Sequence, residues 1–375
     1  MITLEPGLRR GALRLPQSKS HAHRVLVADF LAGGTAYRAG GLQDCDDVAA
    51  TRRCLAALAE ALSSVASQPS RRVALPVGES GTTRRLLGPV VAALGLAPDW
   101  RMRGRLAARP QVEYAVLRPG VHELPGDVSS QFVSGLLLAL PLLGEGSEIR
   151  LSSPLASRGY VDMTLDVLAS YGIVVCETAA GFRVSPGRYS APPHDVRIEA
   201  DWSGAAFPLA LNALGNDIDF PRQGLDGDSR QPDRAVCALL DRLTAPSSAL
   251  SLDVDACPDL FPVLAVVAAA QPRTTRFTGV RRLRLKESDR VAAMADVLAR
   301  LGVPVHVSDE AFSVFGTGRP FRGGAFSSFS DHRIAMSVAV SATRASSSVT
   351  IDDEACAAKS YPTFFGDFVA LRRAD

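Results

Sequence analysis

Three cations and two carboxylates lie within residues 284–290 (RLKESDR), the strongest local group of side chains that could do chemistry. Arg and Lys bind phosphate and carboxylate groups, and a carboxylate beside them can accept or deliver a proton. Apolar residues spaced by three and four predict a helix over residues 287–301, which would put Lys286 and Arg290 on one face with Glu287 beside them. For this run alone, a solvated charged turn is the commoner interpretation.

A second pair of cations opens the first apolar helix of the chain. Residues 15–24 (LPQSKSHAHR) form a proline-opened turn that carries Lys19 and Arg24 and runs into an apolar segment ended by two glycines. The pattern predicts a helix over about residues 20–32, whose N-terminal N–H groups and dipole favour phosphate or carboxylate. A serine-capped surface helix with two solvated cations is the competing interpretation.

Single cations recur on turns between apolar runs. They are Arg105 and Arg109 before Pro110, Arg333 in residues 331–333 (DHR) and Lys359 in residues 356–359 (CAAK). The net charge of the chain is only +2, which provides no overall field to recruit nucleic acid or an anionic membrane. The sequence therefore predicts local sites for small anions, with no nucleic-acid or membrane partner.

The elements that must position these residues follow a pattern that occurs six times. Each copy is a small or polar turn followed by a helix rich in Ala, Val and Leu, and the copies begin at Pro16, Val77, Gly126, Ala200, Cys257 and Phe329. Helices that are apolar all round are buried on every side. β-rich runs lie between the copies, at residues 148–151, 196–199, 274–278 and 349–351. We therefore predict an α/β protein whose sheets wrap around buried helices. Taken singly, Ser129, Asp201 and Asp331 in the turns are interpreted as ordinary N-caps.

Length and composition narrow the class of protein further. A chain of 375 residues with 47% apolar residues is long enough for two domains with buried cores. Its longest apolar runs fall short of the ~18 residues that span a bilayer, and its start has no basic and apolar leader, so a cytoplasmic enzyme is expected. Six cysteines without C-x-x-C and six histidines without H-E-x-x-H predict that there is no metal site.

Eight motifs in order make residues 15–365 similar to the 5-enolpyruvylshikimate-3-phosphate (EPSP) synthase family. They are LPxSKSxxxR from Leu15, DxDDV from Asp44, GxxGT from Gly78, Arg105 with Arg109-Pro110, SSQF from Ser129, KExDR from Lys286, DHR from Asp331 and KxxP from Lys359. Eight ordered motifs are far more specific than one glycine-rich loop. The resemblance implies the two-domain enolpyruvyl transferase fold, with three βαβαββ units around buried helices in each domain. One domain would be residues 17–199, and the other, discontinuous domain would be residues 1–16 and 200–375.

The resemblance also implies an activity. The family's enzyme moves the enolpyruvyl group of phosphoenolpyruvate to the 5-hydroxyl of shikimate-3-phosphate and releases phosphate, in the shikimate pathway to chorismate and the aromatic amino acids. No metal or organic cofactor is implied, and a monomer that acts on these two small molecules is expected. Because both substrates are polyanions, cations are needed to bring them together.

Site residues carry over to the positions that match the motifs. The residues implied for phosphoenolpyruvate binding are Lys19, Gly81, Arg105, Gln131, Arg290, Arg333 and Lys359. Those implied for shikimate-3-phosphate binding are Ser20, Arg24, Ser129, Ser130, Gln131, Ser157, Tyr160, Asp259 and Lys286. Asp259, Glu287 and Lys19 are implied as catalytic, with Asp259 placed to accept the hydroxyl proton and Glu287 near the methylene carbon of phosphoenolpyruvate.

Some features depart from the family pattern. Gln17 replaces the usual Gly, and Glu79 and Arg282 stand where many members have Asn. Residues 110–125 and 244–257 are shorter than usual, so two of the six units are predicted to be truncated. Gly81 keeps the family pattern, and because glyphosate occupies the phosphoenolpyruvate site beside this glycine in the family, the resemblance implies inhibition by glyphosate in competition with phosphoenolpyruvate.

Two alternatives remain open from the sequence. One is a related enolpyruvyl transferase with a different acceptor, and the other is a non-catalytic binder of phosphate ligands. Retention of Asp259 and Glu287 argues against the binder, because buried carboxylates do not help to bind polyanions.

Overall fold

Eleven helices and sixteen strands are present in a computed structural model, which describes residues 1–38, 44–63, 72–194, 196–221, 224–246 and 248–374. The helices are α1 Lys19–Leu31, α2 Asp46–Ser63, α3 Gly81–Ala93, α4 Ser130–Ala139, α5 Arg158–Ser170, α6 Trp202–Ala213, α7 Val236–Thr244, α8 Phe261–Ala269, α9 Arg290–Arg300, α10 His332–Ala342 and α11 Phe364–Ala370. The strands are β1 Ile2–Leu4, β2 Arg9–Ala12, β3 Arg72–Gly78, β4 Ala97–Met102, β5 Val121–Leu124, β6 Ser147–Leu151, β7 Val175–Thr178, β8 Gly181–Val184, β9 Asp217–Asp219, β10 Ala249–Asp253, β11 Thr274–Thr278, β12 Val305–Val307, β13 Ala311–Phe315, β14 Gly324–Phe326, β15 Val349–Ile351 and β16 Arg372–Arg373.

The chain divides into two compact units. One unit is Gln17–Glu199, and the other is Met1–Pro16 together with Ala200–Asp375. Each unit has its own hydrophobic core, built around α1, α3 and α4 in the first and around α6, α8 and α10 in the second. These bounds are the same as those of the two predicted domains.

The sheets show a repeated topology. In the unit Gln17–Glu199 a four-stranded sheet has the order β5-β6-β8-β7, and in the other unit a second one has the order β10-β11-β13-β12. In both sheets the first two strands pair in parallel and the remaining pairs are antiparallel. Parallel neighbours need a crossover, which α4 and α8 provide. Each of these sheets with its two helices is therefore a complete βαβαββ unit.

The remaining sheets are smaller. β3 pairs in parallel with β4 in the unit Gln17–Glu199, and the other unit also contains the three-stranded sheets β1-β15-β14 and β16-β2-β9. The two stretches that the sequence marked as shortened contain β5 and β10, the first strands of the complete units. Residues 110–120 lack helix and strand, and only residues 245–248 separate α7 from β10. That two of the six units are truncated stays a prediction.

All six predicted apolar helices are present, as α1, α3, α4, α6, α8 and α10. Every residue of α8 and α10 is buried, whereas the last turn of α1 is half-buried. The strands predicted at residues 148–151, 274–278 and 349–351 are present, but the one predicted at residues 196–199 is wrong. That run has no regular strand pairing, and Glu199 O accepts a hydrogen bond from Ser18 N at the end of the unit. Among the described residues, no helix combines the length and the apolar character that a bilayer crossing requires.

Candidate active site

Lys19 lies at the first position of α1, one residue before the predicted start. Ser18 caps the helix by accepting a hydrogen bond from His21 N at 3.4 Å. Lys19 Nζ lies 2.9 Å from Oδ2 of Asp47, which is buried at the start of α2. The cation that the sequence singled out is therefore held at a helix N-terminus beside one carboxylate.

Arg24 is buried one turn further along α1 among neutral partners. Its Nε donates to Thr164 Oγ1 at 2.7 Å, its Nη1 donates to the carbonyl of Ser20 at 2.6 Å, and its Nη2 donates to Ser134 Oγ at 3.2 Å. The ring centroid of Tyr160 lies 6.0 Å from the guanidinium carbon. Burial lowers the pKa of Arg24 to about 10, so the group remains a cation at neutral pH.

Three serines of the predicted shikimate-3-phosphate site open helices near this arginine. Ser129 is the N-cap of α4, and the buried Ser130 is its first residue. Ser157 is buried and precedes α5 with a φ of 52°, a left-handed conformation that is uncommon for a residue with a side chain. Such backbone strain occurs often at ligand sites. Arg24 contacts α4 through Ser134 and α5 through Thr164 and Tyr160, so the two helices that begin at these serines both reach this arginine.

The turn after β3 brings a helix N-terminus and two arginines together. Gly78 has a φ of 57°, which lets the chain reverse, and Ser80 then caps α3 through Thr83 N at 3.3 Å. A Cβ on Gly81 would lie 3.1 Å from Arg109 Nη1 and 3.2 Å from Arg85 Nη1. The space beside Gly81 is therefore lined by two guanidinium groups, an arrangement that favours an anion.

Gln131 joins this turn to α4. Its Oε1 accepts from Arg85 Nη1 at 2.8 Å, and its Nε2 donates to Thr82 Oγ1 at 2.9 Å. Gln131 N in turn donates to Ser129 Oγ at 3.3 Å. Gly81 and Gln131, which were predicted from different motifs, are thus brought together by the fold.

Arg105, which the sequence analysis assigned to phosphoenolpyruvate binding, and Arg109, which it did not, differ in burial. Arg105 is exposed on the short 3₁₀ helix Gly104–Ala108, whereas Arg109 is half-buried beside Gly81. The segment after Arg109 is held on α3, since Arg85 Nη2 donates to Pro110 O at 3.2 Å. Arg109, in the Arg-Pro pair of the motif, is therefore a candidate anion ligand to which the sequence analysis gave no binding role.

Asp259 is the centre of the candidate site in the other unit. Its Oδ1 lies 2.7 Å from Arg290 Nη1 and 3.3 Å from Lys286 Nζ, and its Oδ2 lies 3.5 Å from Arg333 Nη2. Asp259 belongs to the 3₁₀ helix Pro258–Leu260 that leads into the buried helix α8. One carboxylate therefore contacts three cations.

Arg290 is fully buried and contacts two further carboxylates. Its Nη2 lies 3.0 Å from Glu287 Oε2, and its Nε lies 2.8 Å from Asp331 Oδ2. Asp331 also caps α10 by accepting from Arg333 N at 2.9 Å. Ser129, Asp201 and Asp331 all prove to be N-caps, as predicted for each taken singly.

The helix predicted over residues 287–301 is shorter than expected. α9 begins at Arg290, because Asp289 accepts from Ala292 N at 3.0 Å and is its N-cap. Lys286 and Glu287 therefore precede the helix, and the shared helical face predicted for Lys286 and Arg290 is wrong. Both cations contact Oδ1 of Asp259 instead.

The cations determine the protonation state of Asp259. Burial raises the pKa of the Asp259 carboxyl, but Lys286, Arg333 and Arg290 outweigh burial and hold it well below the usual range. Burial also lowers the pKa of Lys286, although Asp259 partly offsets this. Asp259 is therefore ionised, which is the form that can accept a proton.

A buried carboxylate that sequence reasoning missed lies beside this group. Asp233 is 1% exposed and accepts a hydrogen bond from Ser203 Oγ, and the carbonyl of Ser203 accepts from Arg333 Nη1 at 3.3 Å. Burial, reinforced by the charge of Asp259, raises the pKa of Asp233 to about 7. Residues 231–234 (QPDR) resemble an ordinary proline turn, so no sequence signal could have identified it.

Lys359 and Glu79, which the sequence analysis also singled out, lie in different units. Lys359 is buried at the end of the 3₁₀ helix Ala355–Lys359, which packs against α10, the helix that carries Arg333. Glu79 directs its carboxyl group at the position where Gly104 lacks a side chain. Among the described residues, no group of three or more His, Cys, Asp and Glu side chains is arranged to hold a metal ion.

The sequence is similar to one family over most of its length. Residues 104–368 match the family described as EPSP synthase (3-phosphoshikimate 1-carboxyvinyltransferase). The 3-phosphoshikimate 1-carboxyvinyltransferase of Clostridium kluyveri is 32% identical, covering 99% of this chain and 97% of the relative, and one from Clostridium perfringens is 31% identical, covering 99% and 98%.

Solved structures share the fold. EPSP synthase from Acinetobacter baumannii superposes with a TM-score of 0.72 at 22% identity, covering 96% of each chain. An enolpyruvyl transferase from Streptomyces tendae gives a TM-score of 0.65 at 16% identity, covering 100% of this chain and 99% of that one. At these identities the likeness concerns the fold alone.

Proposed function

This chain belongs to the EPSP synthase (3-phosphoshikimate 1-carboxyvinyltransferase) family, and from that premise we infer that it transfers the enolpyruvyl group of phosphoenolpyruvate to the 5-hydroxyl of shikimate-3-phosphate. The other product is phosphate, and the reaction is a step of the shikimate pathway to chorismate and the aromatic amino acids. The family predicted from eight short motifs is thus confirmed.

We propose that phosphoenolpyruvate binds to five cations, the side-chain amide of Gln131 and the backbone at Gly81. The set is Lys19, Gly81, Arg109, Gln131, Arg290, Arg333 and Lys359. Arg109 replaces Arg105 in this proposal, because Arg109 lies beside Gly81 and Arg105 is exposed. The guanidinium groups of Arg85 and Arg109 next to the start of α3 support an anion at this position.

We propose that shikimate-3-phosphate binds to five hydroxyl groups, two further cations, the amide of Gln131 and the carboxylate of Asp259. The set is Ser20, Arg24, Ser129, Ser130, Gln131, Ser157, Tyr160, Asp259 and Lys286. Arg24 supports this assignment because its hydrogen-bond partners are neutral groups. A phosphate or a hydroxyl of the substrate would give this buried cation a charged or polar partner.

The reaction then proceeds by addition and elimination. The 5-hydroxyl oxygen bonds to C2 of phosphoenolpyruvate while Asp259 takes the hydroxyl proton, and the methylene carbon C3 receives a proton from Glu287 or Lys19. In the second step a proton leaves the new methyl group, the double bond re-forms and the bond from C2 to the phosphate oxygen breaks. Atoms and protons balance with phosphate as the leaving group, and no oxidant or reductant is needed.

Substrate binding would also change the pKa of Asp259, the proposed base. Asp259 contacts Lys286, Arg290 and Arg333, and these cations make its carboxylate a weak base. An arriving phosphate or carboxylate group would compete for the same cations, so the pKa of Asp259 would rise when both substrates are present. The contact of one carboxylate with three cations is the observation that supports this reaction most.

Phosphate release with a panel of acceptors tests the proposed function. We expect release from phosphoenolpyruvate with shikimate-3-phosphate and none with shikimate, with a nucleotide sugar such as UDP-N-acetylglucosamine, or with phosphoenolpyruvate alone. Release only with the nucleotide sugar would support the related transferase with another acceptor. Thermal stabilisation by both substrates without any release would support the non-catalytic binder. A monomeric state and a cytoplasmic location stay predictions.

A further inference from the structure

Four buried polar side chains form a hydrogen-bonded row inside the unit Gln17–Glu199, and the proposed reaction uses none of them. The row, called the polar row below, consists of His23 on α1, Thr51 on α2, and Thr83 and Ser80 at the start of α3. His23 Nδ1 lies 2.6 Å from Thr51 Oγ1, Thr51 Oγ1 lies 2.7 Å from Thr83 Oγ1, and Thr83 Oγ1 donates to Ser80 Oγ at 2.7 Å. None of the four is more than 1% exposed.

The hydrogen bonds of the polar row have a preferred direction of donation. His23 Nε2 is buried and has no hydrogen-bond partner within the described ranges. A neutral imidazole with its proton on Nδ1 leaves only an acceptor unpaired, whereas the other tautomer would bury an unpaired N–H donor, the rarer situation in proteins. His23 therefore donates to Thr51, Thr51 donates to Thr83, and Thr83 donates to Ser80.

The polar row leads to candidate phosphoenolpyruvate ligands at two places, at its end Ser80 and at Thr83. Ser80 is the N-cap of α3 and directly precedes Gly81. Thr83 Oγ1 also lies 3.3 Å from the carbonyl oxygen of Asp47, whose carboxylate contacts Lys19 Nζ at 2.9 Å. The polar row thus links the helix start that carries Lys19 with the helix start that carries Gly81.

We propose that the polar row is a positioning device for phosphoenolpyruvate binding, which fixes the start of α1 with Lys19 against the start of α3 with Gly81. The inference rests on the proposed function, since it takes Lys19 and Gly81 as ligands of that substrate. His23 and Thr51 act through other residues and are positioning residues. Because small misplacements of a binding group weaken substrate binding steeply, loss of one hydroxyl in the middle of the row has a measurable effect.

Matched variants of Thr51 test the proposal. Thr51→Val keeps the shape of the side chain and removes the hydroxyl, and Thr51→Ser restores the hydroxyl. Thr275→Val is the control, because Thr275 is a fully buried threonine on β11, in the other unit, whose Oγ1 has no hydrogen-bond partner among the residues described. KM for each substrate and kcat are measured for all variants, with thermal melting to confirm folding.

The expected result is a KM for phosphoenolpyruvate that rises about 3- to 10-fold in Thr51→Val, the worth of one hydrogen bond. In Thr51→Val, KM for shikimate-3-phosphate is expected to stay within about 2-fold of normal. Thr51→Ser is expected to bring KM for phosphoenolpyruvate most of the way back to normal. Thr275→Val is expected to change neither KM value. A purely structural role would lower the amount of active enzyme without separating the two KM values. If Thr51→Val does not fold, Thr83→Val interrupts the same row and is measured in the same way.

Two results would overturn the proposal. An active unmodified enzyme whose Thr51→Val or Thr83→Val variant keeps its KM for phosphoenolpyruvate, or raises both KM values equally, overturns the positioning role alone. An unmodified enzyme that releases no phosphate with the two substrates overturns the proposed function and this inference with it.

Discussion

Asp259 is the residue on which the proposed chemistry depends most. Asp259→Ala is expected to lower turnover by about 10²- to 10⁴-fold, the range for a lost general acid or base, while shikimate-3-phosphate still binds measurably. The control is Asp296→Ala, which removes a carboxylate from a surface ion pair with Arg300. Steady-state kinetics and calorimetric binding of shikimate-3-phosphate measure the two effects. Near-normal turnover in Asp259→Ala would remove this residue from the mechanism.

Asp233 makes stability depend on pH in a defined direction. Its folded-state pKa of about 7 lies above the ordinary 3.8, so its contribution to stability is complete below about pH 3.8 and is lost as the pH rises through 7. Asp233→Asn mimics the protonated form, so it is expected to melt at a higher temperature than the unmodified protein at pH 8, with the difference closing near pH 5. Melting curves of both proteins without ligands measure this. A difference that is the same at pH 8 and pH 5 would show that Asp233 does not titrate in this range.

Gly81 bears on inhibition by glyphosate, which the family resemblance places beside this glycine. A methyl group here would lie 3.1 Å from Arg109 Nη1 and 3.2 Å from Arg85 Nη1, so both guanidinium groups must shift. Gly81→Ala is expected to raise the inhibition constant of glyphosate by about 5- to 150-fold, corresponding to ~1–3 kcal/mol, and to raise KM for phosphoenolpyruvate less. Gly144→Ala is the control, because a Cβ there meets nothing within 4 Å. An unmodified enzyme unaffected by millimolar glyphosate would contradict the prediction.

Single residues were predictable where a motif fixes them and unpredictable where only the fold does. The motif around Ser129 gave Gln131, and the structure shows it bonded to Arg85 and Thr82. The choice between Arg105 and Arg109 depends on which face of a short 3₁₀ helix is covered, and spacing does not encode that. Asp233 could be recognised as part of the candidate site only from its buried position in the structure.

At the scale of elements, the apolar helices were predictable because a helix with apolar residues on every face must be buried. Six of six are present, and α8 and α10 are buried on every side. Helix starts were harder to predict, since Glu287 and Asp289 are both acceptable in the first turn of a helix. Asp289 became the N-cap of α9, and Lys286 was thereby left free of the helix to contact Asp259.

The packing of α1 against α2 also has a consequence for stability. Burial lowers the pKa of His23 to about 3. The nearby carboxylate of Asp47 raises this pKa, and the positive charges of Lys19 and Arg24 lower it. Between pH 6.5 and about 3 the unfolded chain therefore binds a proton that the folded chain does not. The free energy of unfolding falls with decreasing pH by up to about 1.4 kcal/mol per pH unit from this group.

His23→Gln should remove this dependence. The loss of unfolding free energy between pH 7 and pH 5, measured by urea titration, is expected to be smaller than in the unmodified protein by about 2 kcal/mol. His306→Gln, at an exposed histidine, is the control. Equal losses in His23→Gln and the unmodified protein would mean that His23 does not resist protonation in the folded state.

At the scale of the whole molecule, the sixfold pattern predicted an α/β protein of two units but not its strand pairing. Pairs such as β11 with β13, or β1 with β15, join strands that are distant in sequence, and their register depends on the packed core. The two stretches that the sequence marked as shortened contain β5 and β10, the first strands of complete units, and their shortening stays a prediction. The alignment with the Clostridium kluyveri relative spans 418 positions against 375 residues here, so that relative has segments that this chain lacks. The shortening leaves in place the turns that carry the candidate site.

The most direct test of enolpyruvyl transfer is to follow the reaction by ¹H and ³¹P NMR in D₂O. Addition to C2 protonates the methylene carbon and elimination removes a proton from the resulting methyl group, so the vinyl group of the product must acquire solvent deuterium. We expect one phosphate released for each carboxyvinyl ether formed on shikimate-3-phosphate, with deuterium in its methylene, and neither product with Asp259→Ala at comparable times. Phosphate release without the ether, or an ether free of deuterium, would contradict the proposed reaction.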